Sequence, residues 1–564
     1  MDFKEQIAQL IFEQTQLPAQ DARGFLEIPP NPELGDYAFP CFRLAKQMRM
    51  APPKIAQLLA DKLAGRFPGK VQAVGGYLNF FADRELFAGQ VLAAVAEGGE
   101  AYGSSDVGGG RTVCIDYSSI NIAKKFHIGH LSTTAIGNAL YRIYNFQGYQ
   151  CVGINHLGDW GTQFGKLIVA FRKWGDRAEV EKKGIDELQR LYVYYHEQVE
   201  AHPELDDEAR AWFKKIEDDD PEAMDLFNWF KQLTMRDVAR VYDLLGVTFD
   251  SYAGESFYND KMGRVVDELE AKGLLVESEG ARIVPLDEFN LPPCLIVKRD
   301  GATLYATRDI AAALYRKDTY DFAKCLYVVA YQQNLHFAQW FHVVEKMGYP
   351  WHKDLEHVAY GMVSMEDGAL STRKGRVIYL EDLLNKAIEK TRQIISVKSP
   401  DLDNPDEVAR KVGVGAVVFN TLLNGRIKDI VFSWDRMLNF DGETGPYVEY
   451  THVRCCSLLA KAGRAPDRAK MDLEALSGEE AQAVLRCLDR FPEVVASACQ
   501  RNEPSMITRH IVLLAQAFNK FYYEQRILEG DLPAQDARLA LVDAVRTVLK
   551  TGLYLLGIEA VEQM

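Results

Sequence analysis

A chain of 564 residues predicts three or four domains at about 150 residues each, and 48% apolar with 26% charged residues is enough to bury several cores. No apolar run approaches the roughly 18 residues that read as a membrane span, and the first segment, MDFKEQIAQLIFEQTQ, reads as an amphipathic helix and not as a secretory signal, so the chain is expected in the cytoplasm. The net charge of −15 argues against a general polyanion binder, but polyanions are held by local patches, and AKKFH, STRKGR and LLNGRIK are locally basic. Much of the acid sits in residues 204–222, which read as a solvated helical surface. Nine scattered cysteines, an odd number with no CxxC pair, predict reduced buried or half-buried thiols and neither a disulfide framework nor a zinc knuckle.

Residues 1–85 read as a small α/β unit, with two helical stretches around the turn-rich NPELGDY and a strand-like GYLNFFAD to close it. Residues 86–110, which end in the glycine-rich EGGEAYGSSDVGGG, read as a linker. RTVCIDYS is an alternating apolar strand. A loop, a helix over about 131–146 and a second strand near 151–155 follow it, which predicts a parallel nucleotide-binding sheet. Residues from about 166 to 248 are helical, with Phe227, Phe230, Val238, Val241 and Leu245 on one face, and read as an insertion between two halves of the sheet. Strand signals return at CLIVK (294–298), LYVVA (326–330) and HVAYGMV (357–363). From about 437 onward the pattern is almost wholly helical; Val542, Val545, Leu549 and Leu553 make one stripe, and Gly557 sits where a C-terminal cap belongs. The expected fold is α/β: a Rossmann-like parallel-sheet catalytic domain over 111–436 with a helical insertion, a small α/β N-terminal domain, and an all-α bundle over 437–564.

Two motifs carry chemistry. His127-Ile128-Gly129-His130 lies between a predicted strand and a predicted helix, where free N–H groups and the helix dipole favour phosphate. Two imidazoles one turn apart can donate to an α-phosphate as its charge grows, and Gly129 lets an adenine ring approach the backbone closely. Ser371-Thr372-Arg373-Lys374-Gly375 follows about 240 residues later, in a glycine-flanked loop after a strand. A mobile cationic loop can close over a triphosphate and open again. By itself such a loop is usually only solvated; the histidines make it informative.

Together these motifs resemble the HIGH and KMSKS elements of the class I aminoacyl-tRNA synthetases. The runs SSINIAKKFHIGHLSTTAIGNAL, NHLGDWGTQFG, YATRDIAAALYR, LSTRKGRVIYLEDLL and LNFDGETGPYVEYTHVR narrow the resemblance to the arginyl-tRNA synthetase family. It covers nearly the whole chain, including the first 85 residues, which resemble that family's tRNA-elbow domain, and the C-terminal helices, which resemble its anticodon-binding domain. The resemblance implies an arginine–tRNA ligase that makes arginyl-adenylate from ATP and passes it to the terminal ribose of the tRNA, with activation dependent on tRNA. ATP with Mg2+, L-arginine and the tRNA for arginine are the implied partners. No permanently bound cofactor, metal-ligand set or obligate protein partner is expected.

Carried over residue by residue, the resemblance makes Ser119 and Asn121 ligands of the arginine backbone end. His127, Gly129, His130, Ser371, Thr372, Arg373 and Lys374 bind ATP. Tyr305, Asp309, Glu255 and Gln333 line the amino-acid pocket, and His336 completes its edge. Thr372 stands where KMSKS has its second lysine, so another cation takes that role, either Lys124 or Lys374. The residues agree with this pocket: a guanidinium needs planar acceptors in a fork, and Tyr305 and Asp309, four apart, share one face of a helical turn. The plain alternative makes Asp309 a helix N-terminal acid with Arg308 as its surface partner. For tRNA, Tyr447, Arg454, Tyr522, Tyr523 and Arg526 suit stacking and phosphate contact, and Tyr77 and Asn79 match the elbow-contacting positions; ordinary packing is the alternative at each. A small-molecule nucleotidyltransferase has no use for the helical C-terminal module and STRKG loop, and a non-catalytic binding module has no use for intact histidines.

Overall fold

The computed structural model describes residues 3–29, 31–299, 305–365, 368–369, 378–437, 439 and 442–564. The chain forms two compact units, one of residues 1–102, 454–491 and 513–549, the other of residues 103–453, 492–512 and 550–564.

In the first unit the strand Tyr77–Ala82 lies between Tyr37–Pro40 and Gly69–Val74, antiparallel to both. Its buried Leu78 and Phe80 join an aromatic core in which Phe67 meets Phe80 at 5.1 Å and Phe3 at 5.6 Å. The expected linker over 86–110 is in its first half a helix, Arg84–Gly98, capped by Asp83, whose side chain accepts from Glu85 N and Leu86 N. Phe87, Val91 and Val95 recur every four residues and are buried, as are Ala88 and Leu92. Gly99, at φ +52°, ends the helix. The glycine-rich composition of the tail hid a capped apolar helix ahead of it.

The second unit is built on a four-stranded parallel sheet in the order Leu355–His357, Lys324–Tyr327, Thr112–Asp116, Gln150–Ile154. Val113, Cys114 and Ile115 are fully buried, as expected of a strand covered on both faces. Thr112–Asp116 is first in the chain yet lies between strands that follow it, so the strand order reverses beside it. In such sheets ligands bind outside the strands' C-terminal ends at this reversal, where the loops leaving Thr112–Asp116 and Lys324–Tyr327 begin. CLIVK joins a separate antiparallel sheet with Val276–Ser278 and Ala281–Val284. HVAYGMV divides, Leu355–His357 staying in the parallel sheet and Val363–Met365 pairing with Ile430–Phe432 and Gly368–Ala369. The insertion is helical: Thr162–Trp174, Arg177–Lys183, Ile185–Ala201, Glu204–Glu217 and Pro221–Leu245, the last burying all five residues of the expected face. All nine cysteines are unbridged, seven buried and two half-buried. Among the described residues no helix is long and apolar enough to cross a membrane.

Candidate active site

The strand Thr112–Asp116 ends in a loop that bends sharply. Ser118, Ser119 and Ala123 hold positive φ (70°, 46° and 61°), a conformation that costs a non-glycine residue on the order of 1 kcal/mol or more. Hydrogen bonds impose it. Ser118 N donates to Thr133 Oγ1 (3.0 Å) and Ala123 N to Thr234 Oγ1 (3.0 Å). Ser118 Oγ lies 2.7 Å from Tyr242 OH. Ser119 Oγ donates to Asp116 Oδ1 (2.8 Å), and the other Asp116 oxygen accepts from the buried Arg316 (2.7 Å). The loop therefore carries Ser119, half-buried, and Asn121, exposed, on a braced backbone at the end of the sheet. The sequence reading did not single out Arg316 or Asp116, although both fall within quoted runs.

The loop returns through His127 into the turn Ile128–His130 and the helix Leu131–Phe146. His127 Nδ1 accepts from Gly129 N (3.1 Å), and His130 Nδ1 accepts from His127 N (3.2 Å). An Nδ1 that accepts leaves the neutral ring's proton on Nε2, so both imidazoles carry an Nε2–H donor. Burial, reinforced by Lys124, lowers the pKa of His127; burial and the His127 ring push that of His130 down to about 3. The rings, 4.0 Å apart, are thus neutral donors at physiological pH. Positive charge beside them comes from the exposed Lys124. Ser371, Thr372, Arg373 and Lys374 lie outside the described residues; the segment after them is tied to the histidine turn by Ile128 N to Ile378 O (3.0 Å) and Leu380 N to Phe126 O (2.9 Å).

The expected amino-acid pocket gathers acids. Tyr305, exposed, opens the helix Tyr305–Tyr320, and Asp309 follows one turn later. His336 Nε2 lies 2.6 Å from Asp309 Oδ2, which places His336 on the pocket acid itself. Gln333, exposed, ends the short turn Tyr331–Gln333 on the loop after Lys324–Tyr327. Glu255 opens the turn Glu255–Lys261. Burial pushes its carboxyl up to about 7; Arg308 opposes the rise, and Asp309 and Asp159 add to it. Arg308 is not a surface partner of Asp309: it is buried, and its Nη1 lies 3.6 Å from Glu255 Oε2. Glu255 and Asp309 thus lie near one another in a largely buried setting, the kind of carboxyl pair that can face a planar cation.

The expected tRNA residues are less uniform. Tyr77 is half-buried, edge-on to the exposed ring of Phe42 at 5.5 Å. Asn79 is buried, and its Oδ1 has no hydrogen-bond partner among the described residues. Arg454 bonds Asn519 and lies 4.7 Å over the Tyr522 ring, with Tyr523 at 87% exposure beside it. Arg526 is exposed and paired with Glu529 at 3.0 Å. The structure brings Arg454, Tyr522, Tyr523 and Arg526 into one unit, whereas the half-buried Tyr447 belongs to the other.

Three family models match the chain: the catalytic domain of the class I tRNA synthetases for arginine over residues 91–434, the DALR anticodon-binding domain over 448–564, and the arginyl-tRNA synthetase N-terminal domain over 1–82. The arginine–tRNA ligase of Alkaliphilus metalliredigens is 53% identical over 566 aligned residues, covering 100% of both chains. That of Clostridioides difficile is 54% identical with the same coverage. Among solved structures, the arginyl-tRNA synthetase of Thermus thermophilus superposes with a TM-score of 0.80 at 24% identity, over 100% of this chain and 99% of that one. That of Plasmodium falciparum gives 0.81 at 21%, over 100% and 98%. The donor pair at the sheet's switch point, the acid pocket beside it and these full-length likenesses agree: the chain belongs to the arginyl-tRNA synthetase family of class I aminoacyl-tRNA synthetases, and it ligates arginine to tRNA.

Proposed function

We propose that His127 and His130 donate their Nε2 protons to the phosphates of ATP, with Lys124 and Lys374 supplying positive charge around the reacting α-phosphate and Mg2+ arriving as part of the nucleotide substrate. In this reading either lysine fills the role vacated at Thr372, and Gly129, Ser371 and Arg373 complete the nucleotide's contacts. Ser119 and Asn121 hold the backbone end of arginine, and Gln333 and Tyr305 line the path to its side chain. The arginine carboxylate attacks the α-phosphate in line and pyrophosphate leaves. The terminal ribose hydroxyl of tRNA then attacks the adenylate carbonyl and AMP leaves. The protein acts mainly by positioning and by neutralising charge. Tyr447, Arg454, Tyr522, Tyr523 and Arg526 are proposed for the anticodon end of the tRNA, and Tyr77 and Asn79 for its elbow. Formation of the adenylate is proposed to need bound tRNA.

Glu255 and Asp309 are proposed to read the guanidinium. The observation that carries this is the placement of two carboxyls together: Glu255, largely buried, 3.6 Å from Arg308, and Asp309, on the helix that carries Arg308 and 2.6 Å from His336. Arginine offers the two carboxyls a planar cation, citrulline offers none, and lysine brings a point charge where a planar fork is wanted. Asp309→Asn and Glu255→Gln should each raise the KM for arginine roughly 10²-fold, since breaking a buried charged pair costs about 3–5 kcal/mol, and the KM for ATP far less. The preference in kcat/KM for arginine over citrulline should narrow in both variants. A ratio unchanged in both means that these carboxylates do not select the substrate.

A further inference from the structure

The turn of residues 157–160, within the run NHLGDWGTQFG, lies between the two sides of the amino-acid pocket. On one side Gly158 N donates to Ile120 O (2.8 Å), and Gly158 O accepts from Ile122 N (3.1 Å). A Cβ at Gly158 would fall 2.4 Å from Asn121 Oδ1, so glycine is what lets the Asn121 side chain lie against this turn. On the other side Leu157 O accepts from Glu255 N (2.9 Å), and the Trp160 backbone favours the charged form of the Glu255 carboxyl. Asp159 grips the next residue twice: Oδ1 accepts from Ser256 N (2.8 Å) and Oδ2 from Ser256 Oγ (2.8 Å). The contact is close enough that a Cβ on Gly254 would meet both Asp159 Oδ1 and Leu157 O at 2.6 Å.

Asp159 is fully buried. A buried carboxylate with only neutral donors is an uncompensated charge, and here the cation comes from elsewhere in the chain. Lys231, on the insertion helix Pro221–Leu245, donates Nζ to Asp159 Oδ2 at 2.5 Å. Its side chain is 29% exposed, so it reaches in from the insertion's surface to the base of the pocket. The charged groups around Glu255 are Arg308 and Asp309 on the helix Tyr305–Tyr320 and Asp159 in the turn, with His336 on Asp309 and Lys231 on Asp159.

We propose that Asp159 and Lys231 are positioning residues for Glu255: the ion pair locks the turn of residues 254–256 so that the Glu255 carboxylate meets the guanidinium, and it makes arginine selection depend on the helical insertion. The proposal rests on Glu255 reading the guanidinium. Lys231 touches no substrate in it; loss of the lysine frees the turn and leaves the Asp159 charge acting on Glu255 without compensation.

The test uses the full-length enzyme in aminoacylation, titrating arginine and ATP separately over a range of pH, with Lys231→Met, Lys231→Arg, Ser256→Ala and Glu255→Gln. In Lys231→Met the KM for arginine should rise about tenfold or more while kcat and the KM for ATP stay within about threefold, because the change falls on one group that binds arginine and not on the phosphate site. The acid limb of kcat/KM for arginine should move to higher pH, since an uncompensated Asp159 holds the proton on Glu255 more tightly. Lys231→Arg should restore most of both, and Ser256→Ala should shift arginine KM in the same direction by less. If Glu255→Gln narrows the arginine–citrulline ratio but Lys231→Met shifts neither arginine KM nor the acid limb, or shifts arginine and ATP alike, the positioning role is overturned and Glu255 keeps its own. If Glu255→Gln leaves the ratio unchanged, the reading of Glu255 falls, and the positioning role with it.

Discussion

Burial and the hydrogen bonds around His127 and His130 make both rings neutral Nε2–H donors. As proposed donors to the ATP phosphates, they contribute most as negative charge develops there, in the transition state. His127→Ala and His130→Ala should each lower the kcat of activation by about 10²-fold, as the loss of oxyanion donors does, with arginine affinity little changed. Near-wild-type turnover in both variants is the contrary result. Because burial keeps His130 neutral down to about 3, these rings should contribute no limb to the pH profile near neutrality. Glu255 should. Its folded-state pKa is raised to about 7, so it holds a proton below that pH and must lose it to pair with a guanidinium. The kcat/KM for arginine should therefore fall as pH drops through about 7, the KM for ATP should stay flat there, and Glu255→Gln should abolish the arginine limb. An identical limb in wild type and Glu255→Gln would assign it to another group.

At the scale of elements, the helix Gly445–Ala462 holds a second displaced carboxyl. Glu449 is fully buried, neither oxygen has a hydrogen-bond partner among the described residues, and burial pushes its pKa up to about 8. Its Oε1 lies 2.6 Å from where a Cβ of Gly415 would be, so the facing helix is smooth at that point by necessity. A carboxyl that keeps its proton in the folded state and loses it on unfolding makes stability fall as pH rises from the unfolded value near 4.5 toward 8. At neutral pH the cost is on the order of 3 kcal/mol. Glu449→Gln should flatten the decline of melting temperature between pH 5 and pH 8 that calorimetry finds in the wild type, by roughly that energy's worth of shift. Parallel curves for the two proteins would mean that Glu449 is ionised or solvated in the fold. Elements with one strong period were legible from sequence. The helix Leu131–Phe146 and the buried face of Pro221–Leu245 follow directly from theirs. CLIVK was not, because a short apolar run has the same signature in a parallel and an antiparallel sheet, and only its partners decide. The helix Arg84–Gly98 was masked by the glycines that follow it, though Asp83 and the spacing of Phe87, Val91 and Val95 announce it. In the proposed site, the motif residues could be read from the chain, whereas Arg308, Arg316, Asp159 and Lys231 act through contacts 53 to 200 positions apart and across elements, which spacing along the chain does not encode.

For the whole molecule, a net charge of −15 and a polyanionic substrate are compatible because binding is local. Arg454, Tyr522, Tyr523 and Arg526 gather in one unit, while the histidine turn and acid pocket lie in the other. With the residues proposed for the anticodon in one unit and those proposed for the reaction in the other, coupling the two is of use, since activation without tRNA spends ATP on an adenylate that has no acceptor. The most direct measurement is arginine-dependent ATP–pyrophosphate exchange by enzyme freed of nucleic acid, before and after adding the tRNA for arginine. Exchange should be negligible before and brisk after, and citrulline should not replace arginine in either case. Brisk exchange without tRNA, or exchange supported by citrulline, would contradict a site that selects the guanidinium and is completed by tRNA.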